Sequence, residues 1–352
     1  MTRILLLLAA SCALSGAEDL AGLVENRRWK RARAEVDRDL PSRKNDPRFL
    51  WLASRVRMAF NQLDEAARLG ERARELNPAN ADYQHQLTEV YGSQAQQASL
   101  FRQIGLGRKV KKSMDATLAL NPRHIQGMFV LMQYYYMAPS LIGGDKAKAR
   151  AMPAEIAKVD PAEGAYAEAR LAILDKQPVH VVRAAFARSV VANPRFYRGH
   201  MALADSYANV KPTDPARAAA HARAAAAIAP GRVEPYRRLA GLAAQQGRIA
   251  EMETWIAEAE RVAPEDRSCR FAAAAALAAE NREPGRAETY FRQFLASEPE
   301  PDSFPLWMAR WRLAQLLEKT GRIADAVAEL QAAARLKPDH EGIRSDLRRL
   351  KG

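Results

Sequence analysis

VEPYRRLAGLAAQQGRIAEMETWIAEAERVAP, residues 233–264, reads as two short helices joined at a glycine and closed by a proline. With Val233 as position 1, Leu239 and Ala240 fall at positions 7 and 8, Gly247 at 15, Ile256 at 24, Ala259 at 27 and Pro264 at 32. A large and a small apolar residue side by side suit the place where the first helix meets the second. Glycine at 15 suits a tight turn, where a left-handed backbone carries no steric penalty for glycine alone. Alanine in the second helix lets it approach its neighbours closely. Proline ends that helix, because the residue before it is pushed out of the helical region.

The pattern spreads along the chain. Trp307 to Pro338 repeats it with Leu313, Ala314, Gly321, Ala326, Leu330 and Ala333 at positions 7, 8, 15, 20, 24 and 27. The unit from Tyr197 gives Leu203, Ala204 and Tyr207, then Ala218 and Ala225 counted back from Pro230. The closing prolines are Pro78, Pro122, Pro161, Pro194, Pro230, Pro264, Pro299 and Pro338, spaced by 44, 39, 33, 36, 34, 35 and 39 residues. A period near 34 indicates a repeat array, in which each unit buries its apolar face against the next. That outranks the two or three domains that a length of 352 suggests.

These residues resemble the tetratricopeptide repeat (TPR), over 46–338 and more loosely toward the N-terminus. The resemblance implies an all-α superhelix, an α-solenoid of about eight antiparallel helix pairs with a terminal capping helix. It also implies a concave groove lined by first-helix positions 2, 5, 9 and 12. Carried over by register, those positions hold Gln126, Phe129, Gln133 and Tyr136, then Arg198, Met201 and Asp205. Further along they hold Glu234 and Arg237, with Gln245 one place past position 12, then Met308, Trp311 and Gln315. Aromatics and arginine among polar groups suit a peptide-binding surface. Phe129, Tyr136 and Trp311 are equally open to a role in packing between repeats. The Lys/Asn clamp of chaperone-binding TPRs is missing: position 9 is Gln133, Asp205, Gly241 or Gln315.

The period breaks twice. About ten extra residues fall near 91–108, by the 44-residue gap, and lengthen either a turn or the start of a second helix. The next unit holds APSLIGGD at 138–145, where Asp145 is placed to cap the following helix. An elongated repeat followed by an A-P-S…G-G loop resembles a group of exported bacterial TPR proteins, a likeness that implies no reaction. The glycine pair is not a phosphate loop, since no GxxxxGK[ST] is present.

Nothing in the sequence assembles a catalytic site. The six histidines form no HExxH, there is no GxSxG, and Cys269, within an alanine-rich helix, reads as a small core residue. No cofactor and no metal is expected. Residues 1–17 carry Arg3, the apolar run ILLLLAA and the small residues Ser15, Gly16 and Ala17, the pattern of a secretory signal peptide. Cys12 offers an alternative, a lipoprotein anchor in the outer membrane, although Ala9 stands where a lipobox usually has leucine. Residues 18–45 are expected to cap the array at one end. Residues 339–352, with Ile343, Leu347 and Leu350 on one face, cap it at the other.

The formal net charge is +13. An export signal argues against nucleic acid as its cause. The sharpest cluster, Arg108, Lys109, Lys111 and Lys112, reads either as a solvated helix face or as a contact to an anionic envelope surface. The sequence therefore predicts an exported, periplasmic, non-catalytic scaffold that binds a protein or peptide segment in its groove. The alternatives are attachment to the envelope surface, or an enzyme or enzyme subunit with a site at the two insertions.

Overall fold

The computed structural model describes residues 18–351; the expected signal segment, with Cys12, lies outside the described residues. The described residues form nineteen α-helices. The first pair is α1 (Leu20–Glu25) and α2 (Trp29–Asp39). Next come α3 (Pro47–Ala59) with α4 (Leu63–Leu76), α5 (Ala81–Gln97) with α6 (Leu100–Leu120), and α7 (Ile125–Met137) with α8 (Lys146–Ala157). Then follow α9 (Pro161–Leu174) with α10 (Val179–Ala192), and α11 (Tyr197–Asn209) with α12 (Pro215–Ile228). The last pairs are α13 (Glu234–Gln245) with α14 (Ile249–Val262), α15 (Ser268–Ala279) with α16 (Pro284–Leu295), and α17 (Leu306–Lys319) with α18 (Ile323–Leu336). Helix α19 (Glu341–Lys351) closes the series. The architecture is an all-α helical repeat array, as the sequence implies.

Every proline of the ladder stands just past a second helix. Six stand two residues beyond its end, while Pro161 and Pro299 stand four beyond. Pro161 is itself the first residue of α9, where its missing N–H leaves nothing unpaired, and Asp160 caps that helix by accepting from the Ala162 and Glu163 amides. Pro299 opens the longest link between pairs, residues 296–305. The extra residues of the 44-residue gap become helix rather than loop: α5 and α6 run for 17 and 21 residues, joined only by Ala98 and Ser99. In the next pair the insertion is a loop. It contains a short 3-10 turn, Ser140–Ile142, and Asp145 caps α8 through the Ala147 and Lys148 amides.

Within a pair the helices meet through alanine. Ala204, Ala218, Ala225, Ala240, Ala259, Ala326 and Ala333 are all fully buried. A longer side chain there forces the helices apart. The largest continuous apolar cluster runs from Ala226 to Ile343 and fuses the last repeats into one core. Six hairpin turns pass through a left-handed residue: Arg27, Asn61, Lys176, Gly247, Asn281 and Gly321. Sequence reading finds only the two glycines among them. Asparagine tolerates this conformation, and arginine and lysine adopt it at a cost set by the Cβ.

The array curves until its first pair meets its later repeats. Arg28, buried, donates from Nη2 to the Gly231 carbonyl at 2.5 Å. A Cβ at Gly231 would lie 2.6 Å from the Asn26 side-chain oxygen, so a larger residue there displaces the Asn26 side chain. Arg232 donates back to the Glu25 carbonyl at 2.9 Å. The Lys30 amide donates to Glu300 Oε2 at 3.1 Å, and Lys30 Nζ reaches the Glu298 carbonyl at 2.5 Å. Arg27 and Arg33 add ion pairs to Asp302 at 3.0 Å and to Glu298 at 3.1 Å. Pairs such as 30 and 300 are 270 residues apart in sequence. The pair expected merely to cap one end therefore also closes the superhelix.

Glu300 is 3% exposed. Burial pushes its carboxyl up to about 7, and Asp266 and Glu265 push the same way, while the Lys30 amide pulls against them. A carboxyl raised on folding adds stability below its ordinary value of about 4.5, and that stability is lost as pH rises through about 7.

Two outcomes follow from the turns and the closure. Gly321→Ala, whose Cβ meets only open space, should lower stability by about 1 kcal/mol through backbone strain alone, while Lys176→Gly should leave stability level or raise it; denaturant midpoints compare them. Wild-type protein should unfold at a higher temperature at pH 6 than at pH 8. Glu300→Gln, which keeps the acceptor for Lys30, should abolish that difference and gain roughly 1–3 kcal/mol at pH 8.

Candidate functional site

The first helices α9, α11, α13 and α15 stand side by side and line a groove of about 1240 Å³. Its rim is arginine: Arg27, Arg170, Arg198, Arg232, Arg237 and Arg238, against Asp205, Glu234 and Glu280. One wall is small, made of Gly241, Ala272, Ala275, Ala276 and Ala279. Tyr166, Phe186, Phe271 and Phe304 supply the aromatic surface. Such a shape admits an extended segment along the small wall, with its side chains reaching the rim.

The arginines differ in what holds them. Arg198 pairs with Glu163 and lies over the rings of Tyr166 at 4.8 Å and Phe129 at 5.4 Å. Burial raises the Glu163 carboxyl while Arg198 pulls it down. Arg238 Nε donates to Asp205 at 3.0 Å. Arg232 pairs with Glu234 at 2.8 Å, and Arg27, brought from the α1–α2 turn, reaches the same carboxylate at 3.5 Å. Glu234 is held below the ordinary carboxylate range by these partners, against the opposing and larger effect of burial. Arg170 and Arg237 have no carboxylate within 4.0 Å among the described residues; Arg237 instead lies over Phe304 at 5.1 Å. They are the two groove cations left for a ligand.

The structure brings Arg198, Asp205 and Arg237 together in this groove, with Met201, Glu234 and Gln245. Phe129 sits at its edge, edge-on to Tyr166 with ring centres 6.0 Å apart. Gln126 and Gln133 are exposed on α7, outside the groove lining. Tyr136 is engaged in packing: its hydroxyl lies 2.9 Å from both the Leu174 carbonyl and Asp175. Trp311 lies beneath α19, its indole N–H donating to Asp346 at 2.8 Å and its ring against His340. Gln315 lines a separate, smaller groove of about 670 Å³ with Arg312, Asp346 and Arg349.

Sequence reasoning missed Arg27, Arg170 and the alanine wall. Arg27 is distant in sequence, and no local signal points to it. The wall hides in CRFAAAAALAA, where Ala273, Ala274 and Leu277 are core and Ala272, Ala275, Ala276 and Ala279 face the groove. With alanine on both faces, the stretch shows no amphipathic contrast. Cys269, in the same helix, is fully buried, and burial pushes its thiol well up. His124 is also structural: Nδ1 accepts from the Gly127 amide at 2.9 Å, so Nε2 carries the proton toward Asp82 at 3.0 Å. Among the described residues no cluster of three or more His, Cys, Asp or Glu could hold a metal ion.

No family model and no curated protein matches the chain. Among solved structures it is similar to a TPR protein of Thermus thermophilus, with 20% identity, 54% of this chain and 98% of that one covered, and a TM-score of 0.42. It is similar to yeast Tom70, with 14% identity, coverage of 94% and 86%, and a TM-score of 0.48. A tetratricopeptide repeat protein of Parabacteroides merdae gives 13% identity, coverage of 87% and 99%, and a TM-score of 0.44. All three scores lie below 0.5, so the class of the fold rests on the chain's own helix pairs, left-handed turns and buried alanines. By those features the protein is an all-α helical repeat array, an α-solenoid of antiparallel helix pairs.

Proposed function

We propose that the protein is a non-catalytic scaffold in the bacterial cell envelope that holds a protein or peptide segment bearing carboxylates in its concave groove. The observation that carries this reading is the pair Arg170 and Arg237, free of carboxylates beside a wall of alanine and glycine. An extended segment gains apolar contact along the wall and charge-assisted bonds at the two guanidinium groups. The other rim arginines are already neutralised and serve to hold the helices in register. The partner is a protein chain rather than a small molecule, since the groove is long, open and lined by four repeats. Residues 1–17 would direct export, with the mature chain starting at Glu18.

An array of random peptides probed with the purified protein tests the groove. The bound set should be enriched in Asp and Glu. Arg170→Gln and Arg237→Gln should each weaken the best peptide about tenfold, the worth of one charge-assisted contact. Equal binding by both variants, or no acidic preference, rejects the groove. Mass spectrometry of the protein recovered from envelope fractions tests the export reading: a chain beginning at Glu18 supports a soluble periplasmic protein, and an acylated Cys12 supports the lipid-anchored alternative.

A further inference from the structure

The segment that breaks the repeat period concentrates two properties found together nowhere else among the described residues. Residues 92–150 hold nine Lys and Arg against Asp115 and Asp145, an excess of seven out of the chain's net +13. They also hold five of the seven large apolar side chains that are more than half exposed: Phe101, Ile104, Met137, Leu141 and Ile142. Leu141 is 94% exposed and Phe101 87%.

Geometry joins the two sets. At 100° per residue, Phe101, Ile104, Arg108, Lys111 and Lys112 fall within one stripe of α6 about 100° wide. Lys111 Nζ lies 6.0 Å from the centre of the Tyr134 ring, and the Tyr134 hydroxyl donates to the Ile142 carbonyl. The apolar turn at 140–142 therefore sits beside the stripe. From Phe101 to Lys112 no residue of α6 is buried, and a Cβ at Gly105 or Gly107 would meet open space. The start of α6 thus stands largely exposed, and its first firm apolar contact is Val110 against the cluster of Ala66, Leu87 and Tyr91. The two acids are already occupied: Asp115 by Lys111 at 2.5 Å, and Asp145 by the N-terminus of α8. Arg102, Arg108, Lys109 and Lys112 have no carboxylate within 4.0 Å among the described residues.

We propose that the N-terminal half of α6 and the 137–142 turn form a docking surface for an anionic lipid bilayer. Phe101, Ile104, Leu141 and Ile142 enter the boundary between headgroups and acyl chains, and the flanking cations meet the headgroup phosphates. An amphipathic helix with a cationic flank beside exposed aromatic and aliphatic residues is suited to this interface. A second copy of the chain does not fit, because it would bring two strongly positive surfaces together. A folded protein fits poorly, because neither groove is lined by residues of this segment and Arg102, Arg108, Lys109 and Lys112 have no carboxylate partner among the described residues. No helix among the described residues is long and apolar enough to cross a membrane, so the contact is peripheral. This surface is separate from the peptide groove and stands without it.

Co-sedimentation of the protein with vesicles tests the proposal, using phosphatidylcholine alone and phosphatidylcholine mixed with phosphatidylglycerol. Binding to the mixed vesicles only, weakening steeply with salt, is expected. Arg108→Gln with Lys112→Gln should reduce it at least about tenfold, and so should Phe101→Ser with Leu141→Ser, all being exposed positions whose change leaves the core intact. Arg344→Gln with Arg348→Gln, on the basic face of α19, should leave it unchanged. Equal affinity for both vesicle types overturns the proposal, as does binding that the α19 pair reduces as much as the α6 pair. It is also overturned by poly-glutamate binding that matches the mixed vesicles and ignores Phe101 and Leu141. A dimer that dissociates on the Phe101 and Leu141 changes, with no vesicle binding, would assign the patch to a second copy instead.

Discussion

The junction between the first helix pair and the later repeats, with the carboxyl of Glu300 buried in it, closes the array. A helical array is held together by neighbour contacts and is otherwise an open spiral. Here the N-terminus of α2 lands on the loop that carries Glu300. The first amides of a helix have no partner within the helix, and one of them, that of Lys30, finds Glu300 Oε2 at 3.1 Å. Helix dipole and hydrogen bond favour the ionised carboxyl, while burial beside Asp266 and Glu265 disfavours it, and burial prevails. The bonds of Arg28 to Gly231 and of Arg232 to Glu25 fix the same junction from the other side. Arg27 then projects into the groove, so the ends of the array complete the site that its middle repeats line.

The irregular part of the chain has a different physical character. Between α3 and α18 most pairs are short, alanine-packed and electrically mixed, with lysine and arginine matched to nearby acids. The first turns of α6 and the loop after α7 are exposed, and residues 92–150 hold only Asp115 and Asp145 as acids. Extra helix length has no neighbouring repeat to bury it. The apolar residues scattered along it are the ones that call for a partner.

The repeat period and the helix pairs were legible in the sequence, because glycine, proline and alanine act locally. Asp145 as the cap of α8 was legible for the same reason. The left-handed turns at Asn61, Lys176 and Asn281 were not, since only glycine announces that conformation. Of the residues that register assigns to a groove, Arg198, Asp205 and Arg237 lie along the one between α9 and α15, on regular repeats. Trp311 and Tyr136 take the packing role that their pattern left open, and Gln126 and Gln133 belong to the irregular unit and lie outside that groove. Closure was illegible altogether. It depends on the accumulated twist of many repeats, and no local pattern links Arg28 to Gly231 or Lys30 to Glu300.

Amide hydrogen exchange at Lys30 tests the closure most directly, because that N–H lies in the first turn of α2 and has no helical acceptor. A closed array gives a Lys30 amide as protected as those of the α2 interior, and Glu300→Ala releases it without exposing α13 or α15. A Lys30 amide that exchanges freely in the wild-type protein, or one that Glu300→Ala leaves unchanged, would contradict the closed superhelix.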